Sequence, residues 1–219
     1  GIFVNTIVNA NTIFIGMPLN EALFGDAAVK YFLVYYVLNT ISTWTIGSIL
    51  IANDSKADSV SCGKINFKKI LSPPIIGFIV AIAVLLSGIT IPAMITDIFT
   101  YLGNLVTPLS LIYIGVVLSK AGLKSIHFDR DTVTALLGKF VLSPLVTAFI
   151  IFVSAETGMI IDSVLRRTLI VQAAVPALTV LPILADEGNG DVEYATNVVT
   201  TSTLLFIAVI PVVMLLLSK

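Results

Sequence analysis

Residues 1–20 read GIFVNTIVNANTIFIGMPLN, an uncharged stretch about as long as one membrane-spanning helix. Several residues within it nevertheless oppose a continuous helix. Asn and Gly are poor helix formers, and Pro18 removes a backbone donor and clashes with the carbonyl four residues earlier. We therefore predict a helix that opens between Asn11 and Pro18. Open backbone at membrane depth persists only where protein or a watery cavity satisfies it.

The composition of the whole chain also places it in a lipid bilayer. Its 219 residues are 57% hydrophobic and 11% charged, and the mean hydropathy is +1.05. A soluble domain has about 45–50% apolar and about 25% charged residues. Twelve Lys and Arg against thirteen Asp and Glu leave no basic surface for nucleic acid. The predicted class is an all-α, multi-pass membrane protein without a nucleic-acid partner.

Long uncharged stretches predict seven membrane-spanning helices, because one span needs about 20 mostly apolar residues. These stretches are too long and too continuously apolar for barrel strands. One of them contains a single charge, that of Lys139. The predicted spans cover 1–20, 31–52, 70–96, 98–119, 132–155, 168–185 and 194–218.

Positive charges in the connecting loops predict the orientation. Loops 53–69 and 120–131 are separated by two spans and therefore lie on the same side. They carry Lys56, Lys64, Lys68, Lys69, Lys120, Lys124 and Arg130. The opposite side carries fewer Lys and Arg residues, so the first side is predicted to be cytoplasmic. We expect the plasma membrane, the inner membrane of the cell, as the location.

A second span is also interrupted. Residues 168–185 read TLIVQAAVPALTVLPILA, and we predict a break around Pro176. The two interrupted spans lie five spans apart and therefore have opposite orientations. Ile7 aligns with Ile170, and Gly25 with Gly188, at the same separation of 163 residues. Interrupted segments at matching positions of an inverted repeat indicate the midplane site of a transporter.

Several motifs together resemble one family of carriers. The stretches NTIFIGMPL (11–19) and IVQAAVP (170–176) are similar to the two broken helices of the auxin efflux carrier family. This family includes plant auxin exporters and bacterial malate and malonate permeases. Three shorter matches are FG (24–25), PLSLIYIG (108–115) and KFVLSP (139–144).

The resemblance implies a fold of ten helices in two inverted five-helix repeats, whose fourth and ninth helices break and cross. The chain would begin at the fourth helix and lack the first three. Residues 1–52 would end the first repeat, 53–69 would form a cytoplasmic linker, and 70–219 would form the second repeat. Within it, helices of 70–119 would belong to a scaffold that pairs two copies as a homodimer, and helices of 132–218 to the moving transport part.

Four residues are predicted to bind substrate: Asn11, Gln172, Asn9 and Lys139. The amides of Asn11 and Gln172 are expected to donate to a carboxylate, helped by the partial positive charge of a half-helix N-terminus. The alternative for these amides, including that of Asn9, is hydrogen bonding between helices. Lys139 either snorkels to the cytoplasmic face or attracts anions inward.

Three more residues are predicted to shape the crossing. Pro18 and Pro176 would set the two breaks, with Pro182 as a secondary candidate. Gly16 would allow close approach at the break, or would serve ordinary packing of small residues. The acidic residues that follow the second broken span, Asp186, Glu187, Asp191 and Glu193, are predicted to be solvated.

The predicted function is secondary transport of small organic anions, such as malate, malonate or auxin-like carboxylates. The expected mechanism is elevator-type alternating access, with possible coupling to protons or sodium. The alternative is a non-transporting sensor or partner subunit derived from a truncated carrier. The sequence contains no H-E-x-x-H, G-x-S-x-G or Walker motif, so no enzyme is predicted. Neither a cofactor nor a metal is predicted, because His127 and Cys62 have no partners at metal-ligand spacing.

Overall fold

A computed structural model of the protein describes residues 1–54, 73–105, 126–217 and six positions between 108 and 119. Every regular element in this part of the chain is a helix. Most of the loops used to predict the orientation, including Cys62 and six of the seven basic residues, lie outside the described residues. The orientation therefore stays a prediction.

The α-helices are labelled here in chain order. They are α1 (Ile2–Val8), α2 (Met17–Phe24), α3 (Val29–Ser42), α4 (Ser48–Asp54), α5 (Pro73–Ser87), α6 (Ala93–Asn104), α7 (Arg130–Leu137), α8 (Ser143–Glu156), α9 (Ser163–Ala174), α10 (Leu181–Glu187) and α11 (Val192–Leu217). Three π-helical turns lead directly into α2, α4 and α8, and they cover Thr12–Gly16, Thr43–Gly47 and Gly138–Leu142. Such turns widen a helix locally and are frequent at functional sites.

Four segments of the described chain are long and apolar enough to cross a membrane. They are Ile2–Phe24, Asp26–Asp54, Arg130–Glu156 and Val192–Leu217. The predicted span at 168–185 is absent from this set because its helix is divided into α9 and α10. The two spans predicted within 70–119 are described only in part. The all-helical membrane class is confirmed, whereas the count of seven spans stays a prediction.

Local sequence explains where several helices begin and end. Pro18 is the second residue of α2 and directly follows the π-turn that ends at Gly16. Gly25 ends α2 with φ of +66°, a conformation that residues with a Cβ avoid. The Asp129 side chain caps α7 by accepting a hydrogen bond from the Thr132 N–H at 2.7 Å. Hydrogen bonding by Thr132 lowers the pKa of that carboxyl below its ordinary value.

The two interrupted segments lie against each other in opposite directions. The half-helix α1 packs beside α10, while α2 packs beside α9. The segment α7–α8 packs along α1 and α9, and α11 contacts α9, α10 and α7. The interior of this assembly is partly polar, because side chains such as Asn5, Thr168 and Ser202 are buried alongside the apolar core.

Candidate binding site at two crossing helix breaks

The first break lies at Asn9–Asn11, upstream of its predicted position between Asn11 and Pro18. The helix α1 ends at Val8, and the chain is helical again from Thr12. Pro18 does not break the helix because it directly follows the π-turn Thr12–Gly16, and this widened turn accommodates a residue that has no N–H to donate. The π-turn before it closes through hydrogen bonds from the Ile15 and Gly16 N–H groups to the Asn11 carbonyl.

The second break lies at 175–180, and Pro176 falls within it as predicted. Pro182 lies in the first turn of α10, the same place that Pro18 occupies in α2. The structural counterpart of Pro18 is thus Pro182, and the sequence also aligns the two, one residue beyond the common separation of 163. The two breaks meet directly, because the Asn11 N–H donates to the Pro176 carbonyl at 2.9 Å. This contact defines the crossing.

Asn11 lies at the crossing, and the nitrogen of its side-chain amide is unpaired. The residue is 3% exposed, and its Nδ2 has no hydrogen-bond partner among the described residues. An unpaired buried polar group costs about 1–3 kcal/mol, so native structures seldom retain one without a purpose. The donor is therefore available to a ligand, as the predicted substrate role requires.

Gln172 is fully buried on α9, and neither its Oε1 nor its Nε2 has a partner in the described part of the chain. Its amide lies against Gly16. A Cβ built on Gly16 would lie 2.8 Å from Gln172 Nε2 and 3.0 Å from its Cδ. Gly16 thus accommodates a side-chain amide at the crossing, because a Cβ at this position would collide with the Gln172 amide.

Substituting Gly16 with Ala tests this contact. We expect a small change in stability, because the new methyl group meets the end of a flexible side chain and Ala gains about 0.5–1 kcal/mol over Gly in a helix. The displaced Gln172 amide should nevertheless impair ligand binding at least severalfold. Gly77→Ala is the matched control, because a Cβ at Gly77 would meet nothing within 4 Å. Thermal unfolding and ligand binding, measured on both variants, would separate the two effects.

Asn9 takes part in hydrogen bonds within the protein. Its Nδ2 donates to Asn5 Oδ1 at 2.7 Å, and Asn5 Nδ2 donates to the Gly47 carbonyl at 3.0 Å. Gly47 belongs to the π-turn before α4, so these bonds join α1 to the following membrane segment. For Asn9 the geometry supports the alternative of interhelical hydrogen bonding.

Lys139 is completely buried and does not snorkel to a surface. Its Nζ donates to the Asn9 carbonyl at 3.0 Å and lies 3.5 Å from the Ile7 carbonyl. These carbonyls are at the C-terminal end of α1, where a half-helix carries a partial negative charge. The ammonium group therefore caps the broken end of α1 and places a positive charge beside the first break.

Sequence reasoning missed two residues that hold the breaks open. Asn39 on α3 accepts from the Ala10 N–H at 2.9 Å and donates to the Ala10 carbonyl at 3.1 Å. Ser202 on α11 accepts from the Ala177 N–H at 3.3 Å. The two residues are separated by 163 positions, the same separation that relates the two interrupted spans. A signal was present, since Asn39 is the single amide side chain in the predicted span 31–52.

A cavity of about 200 Å³ opens beside the first break. Its polar lining consists of amide and hydroxyl groups, and Tyr36, Trp44 and Phe14 supply aromatic surface. Of the predicted site residues, Asn11 lines this cavity, whereas Gln172, Asn9 and Lys139 lie outside its lining. The polar residues at its wall are Asn11, Thr12, Asn39, Thr40, Thr43 and Thr179.

A larger cavity of about 660 Å³ is lined by Asp129, Asp131, Asp191 and Glu193. Two of these carboxylates belong to the acidic run after the second broken span. Four negative groups would repel an anion, and the cavity lies away from both breaks. We therefore assign the candidate site to the smaller cavity at the crossing.

Comparison with known proteins agrees with the fold class. The family model described as "Membrane transport protein" matches residues 1–214. A protein of Methanothermobacter thermautotrophicus, named an uncharacterized transporter, is 24% identical over 201 residues. The alignment covers 92% of this chain and 63% of that protein, so the chain spans less than two thirds of this relative's length. Since the family match covers nearly the whole chain, the chain belongs to the auxin efflux carrier-like family of membrane transport proteins.

Proposed function

We propose that the protein is a secondary carrier of small organic anions, with malate, malonate or indole acids as the substrate class. The observation that carries this proposal is the unpartnered, buried amide of Asn11 in a cavity where two broken membrane helices cross. Half-helix N-termini at such breaks are suited to anionic groups of a substrate, because their free N–H groups and dipoles are positive.

The charge and size of the site favour a small acid. Lys139 adds a buried positive charge next to the first break. The cavity of about 200 Å³ is smaller than the 300–1,000 Å³ typical of sites for drug-sized ligands. Its aromatic lining would accommodate the apolar part of an acid, while the amides and hydroxyls would orient the carboxylate.

The order of elements supports an elevator-type mechanism built on repeated units. Each interrupted segment has a half-helix, a break, a second half-helix with Pro in its first turn, and a Gly cap at 25 or 188. The long helices that follow begin at Val29 and Val192, again 163 residues apart. Two such units in opposite orientations would let one part carry the crossing past a scaffold. Pairing of two copies through 70–119 stays a prediction.

Efflux would need no further energy source. An anion that leaves a negative-inside cell is driven outward by about 2.3 kcal/mol per charge per 100 mV.

Uptake of labelled malate, malonate and indole-3-acetate into proteoliposomes tests the proposal. We expect saturable uptake by the full-length gene product, and at least a tenfold loss in Asn11→Asp, because the new carboxylate has a similar shape but repels the anion. Asn104→Asp, at the exposed end of α6, is the matched control. Absence of uptake by correctly inserted protein would favour the sensor or partner subunit instead. Unchanged uptake in Asn11→Asp would remove Asn11 from the site.

A further inference from the structure

One wall of the cavity beside the first break is formed by α3 and the π-turn that follows it. Among the polar side chains of this wall, the Asn39 amide is hydrogen-bonded to Ala10. Thr40 and Thr43 line the cavity from the same wall, and their side chains are 7% and 2% exposed. The bonding of these two hydroxyls therefore decides which ligand groups the wall can receive.

The hydroxyl hydrogens of both threonines are already donated within the protein. Thr43 Oγ1 donates to the Asn39 carbonyl at 2.7 Å, and Thr40 Oγ1 donates to the Tyr36 carbonyl at 2.8 Å. A hydroxyl group has one hydrogen and two acceptor lone pairs, so each of these oxygens can still accept but can no longer donate. Neither can bind an ionised carboxylate, which has only acceptors. The carboxylate of a substrate is left to Asn11 and the other polar groups of the cavity.

The helix α11 provides an internal comparison for Thr40. It supports the second break through Ser202, as α3 supports the first through Asn39, 163 positions earlier. At the same separation Thr40 corresponds to Thr203, which also donates to the carbonyl four residues earlier, at 2.7 Å. Thr203 lies outside the lining of the cavity. A bond of this kind within a helix therefore does not by itself mark a binding residue.

Thr43 is the position at which the two units differ. Its counterpart is Phe206, whose ring stacks on Phe140 with the ring centroids 6.5 Å apart. These rings belong to an apolar cluster that includes Val175 of the second break. In addition, α3 gives way to a π-turn at Thr43, whereas α11 continues through Phe206 as an α-helix. Since π-turns are frequent at functional sites, both differences single out Thr43.

An oxygen that can only accept selects a ligand that can donate. The acids of the proposed substrate class differ in this respect, because malate carries a hydroxyl group and indole acids carry a ring N–H, whereas malonate carries neither. A donor of this kind would bond to Thr43 while the carboxylate bonds to Asn11, and both residues line the same cavity of about 200 Å³. The wall thus ranks malate and indole acids above malonate.

We propose that Thr43 is a specificity-determining residue of the site, and that its Oγ1 accepts a hydrogen bond from an O–H or N–H group of the ligand. This assignment rests on the proposed function and narrows its substrate class to acids that carry a hydrogen-bond donor besides the carboxylate. Thr40 keeps the bond within its helix that it shares with Thr203, and the preference for a donor is assigned to Thr43.

The test compares the binding of paired acids to the detergent-solubilised full-length protein by isothermal titration calorimetry. Succinate is malate without the hydroxyl group, and benzofuran-3-acetate is indole-3-acetate with oxygen in place of the N–H. In a pair that binds, the acid with the donor should bind about threefold to tenfold more tightly. Equal affinities within each pair would overturn the role of Thr43 and leave the carrier intact. Failure of all four acids to bind would count against the proposed function and, with it, this assignment.

Substitution of Thr43 locates the preference. Thr43→Val keeps the shape of the side chain and removes the acceptor, so the two affinities of a pair should become nearly equal. The variant should fold, because the Asn39 carbonyl still accepts from the backbone N–H of residue 43. Thr43→Ser retains the hydroxyl and should retain the preference. Thr203→Val is the matched control, since Thr203 is similarly buried and hydrogen-bonded, and it should also retain the preference. An equal loss of affinity for both members of a pair in Thr43→Val would show a purely structural role and overturn the proposal.

Discussion

Replacing Lys139 with Met is expected to abolish anion uptake and to lower the free energy of unfolding by about 1–3 kcal/mol. Met keeps the length and apolar stem of the side chain, so packing in this fully buried position is largely preserved. The charge and its hydrogen bonds to the Asn9 and Ile7 carbonyls are lost. Both carbonyls then remain buried beside the break without their cation.

The modest loss of stability reflects two opposing terms. Burial of an ammonium group costs several kcal/mol, and its removal recovers that cost. Hydrogen bonds to a charged group contribute about 1.5–3 kcal/mol each, and a cation at a helix end contributes up to about 2 kcal/mol more. The balance favours the native Lys139. For an anionic ligand, by contrast, the substitution removes an attractive charge and offers no gain that would offset this loss.

Val141→Met provides the control for Lys139→Met. Val141 lies on the same π-turn with a side chain that is 49% exposed, so the substitution adds bulk without altering the crossing. Uptake and thermal unfolding should both resemble those of the wild type. Retained uptake in Lys139→Met would show that the buried charge serves only to cap α1.

The second large effect is expected for Asn39→Leu. This substitution removes both hydrogen bonds that the Asn39 amide makes to Ala10, at 2.9 and 3.1 Å. Ala10 is fully buried, so its N–H would be left without a partner, while its carbonyl would keep only the hydrogen bond from the Thr12 N–H at 2.8 Å. At about 1–3 kcal/mol for the unpaired N–H and about 1 kcal/mol for the lost bond to the carbonyl, the free energy of unfolding should fall by about 2–4 kcal/mol. Uptake should also fall, because Asn39 lines the cavity and holds the first break open.

Ser202→Ala provides a graded comparison with Asn39→Leu. Ser202 supports the second break through one longer bond, at 3.3 Å to the Ala177 N–H. Its removal should therefore cost about 1 kcal/mol. Thermal or denaturant unfolding should rank Asn39→Leu well below Ser202→Ala in stability. The reverse ranking would mean that the Asn39 amide is not what stabilises the first break.

The membrane class and the two interrupted spans could be predicted because their signals are local. Apolar runs and charge-poor composition require no knowledge of partners, and a Pro or Asn opposes a helix wherever the helix packs. The position of the first break was less predictable. Pro18 is accommodated directly after a π-turn, so the local rule that Pro interrupts a helix could not place the opening at residues 9–11.

The candidate site depended more strongly on tertiary structure. Asn11 and Gln172 could be proposed from the sequence because polar side chains are conspicuous in apolar spans. Asn39 was missed, and its significance is apparent only from Ala10, 29 residues away. Lys139 caps a carbonyl 130 residues away. The sequence by itself determined that the chain enters the bilayer and where its helices tend to open. Only the tertiary structure decided which side-chain amides are hydrogen-bonded within the protein and which remain available to a ligand. Hydrogen bonding depends on distances in space, and local residue patterns do not contain these distances.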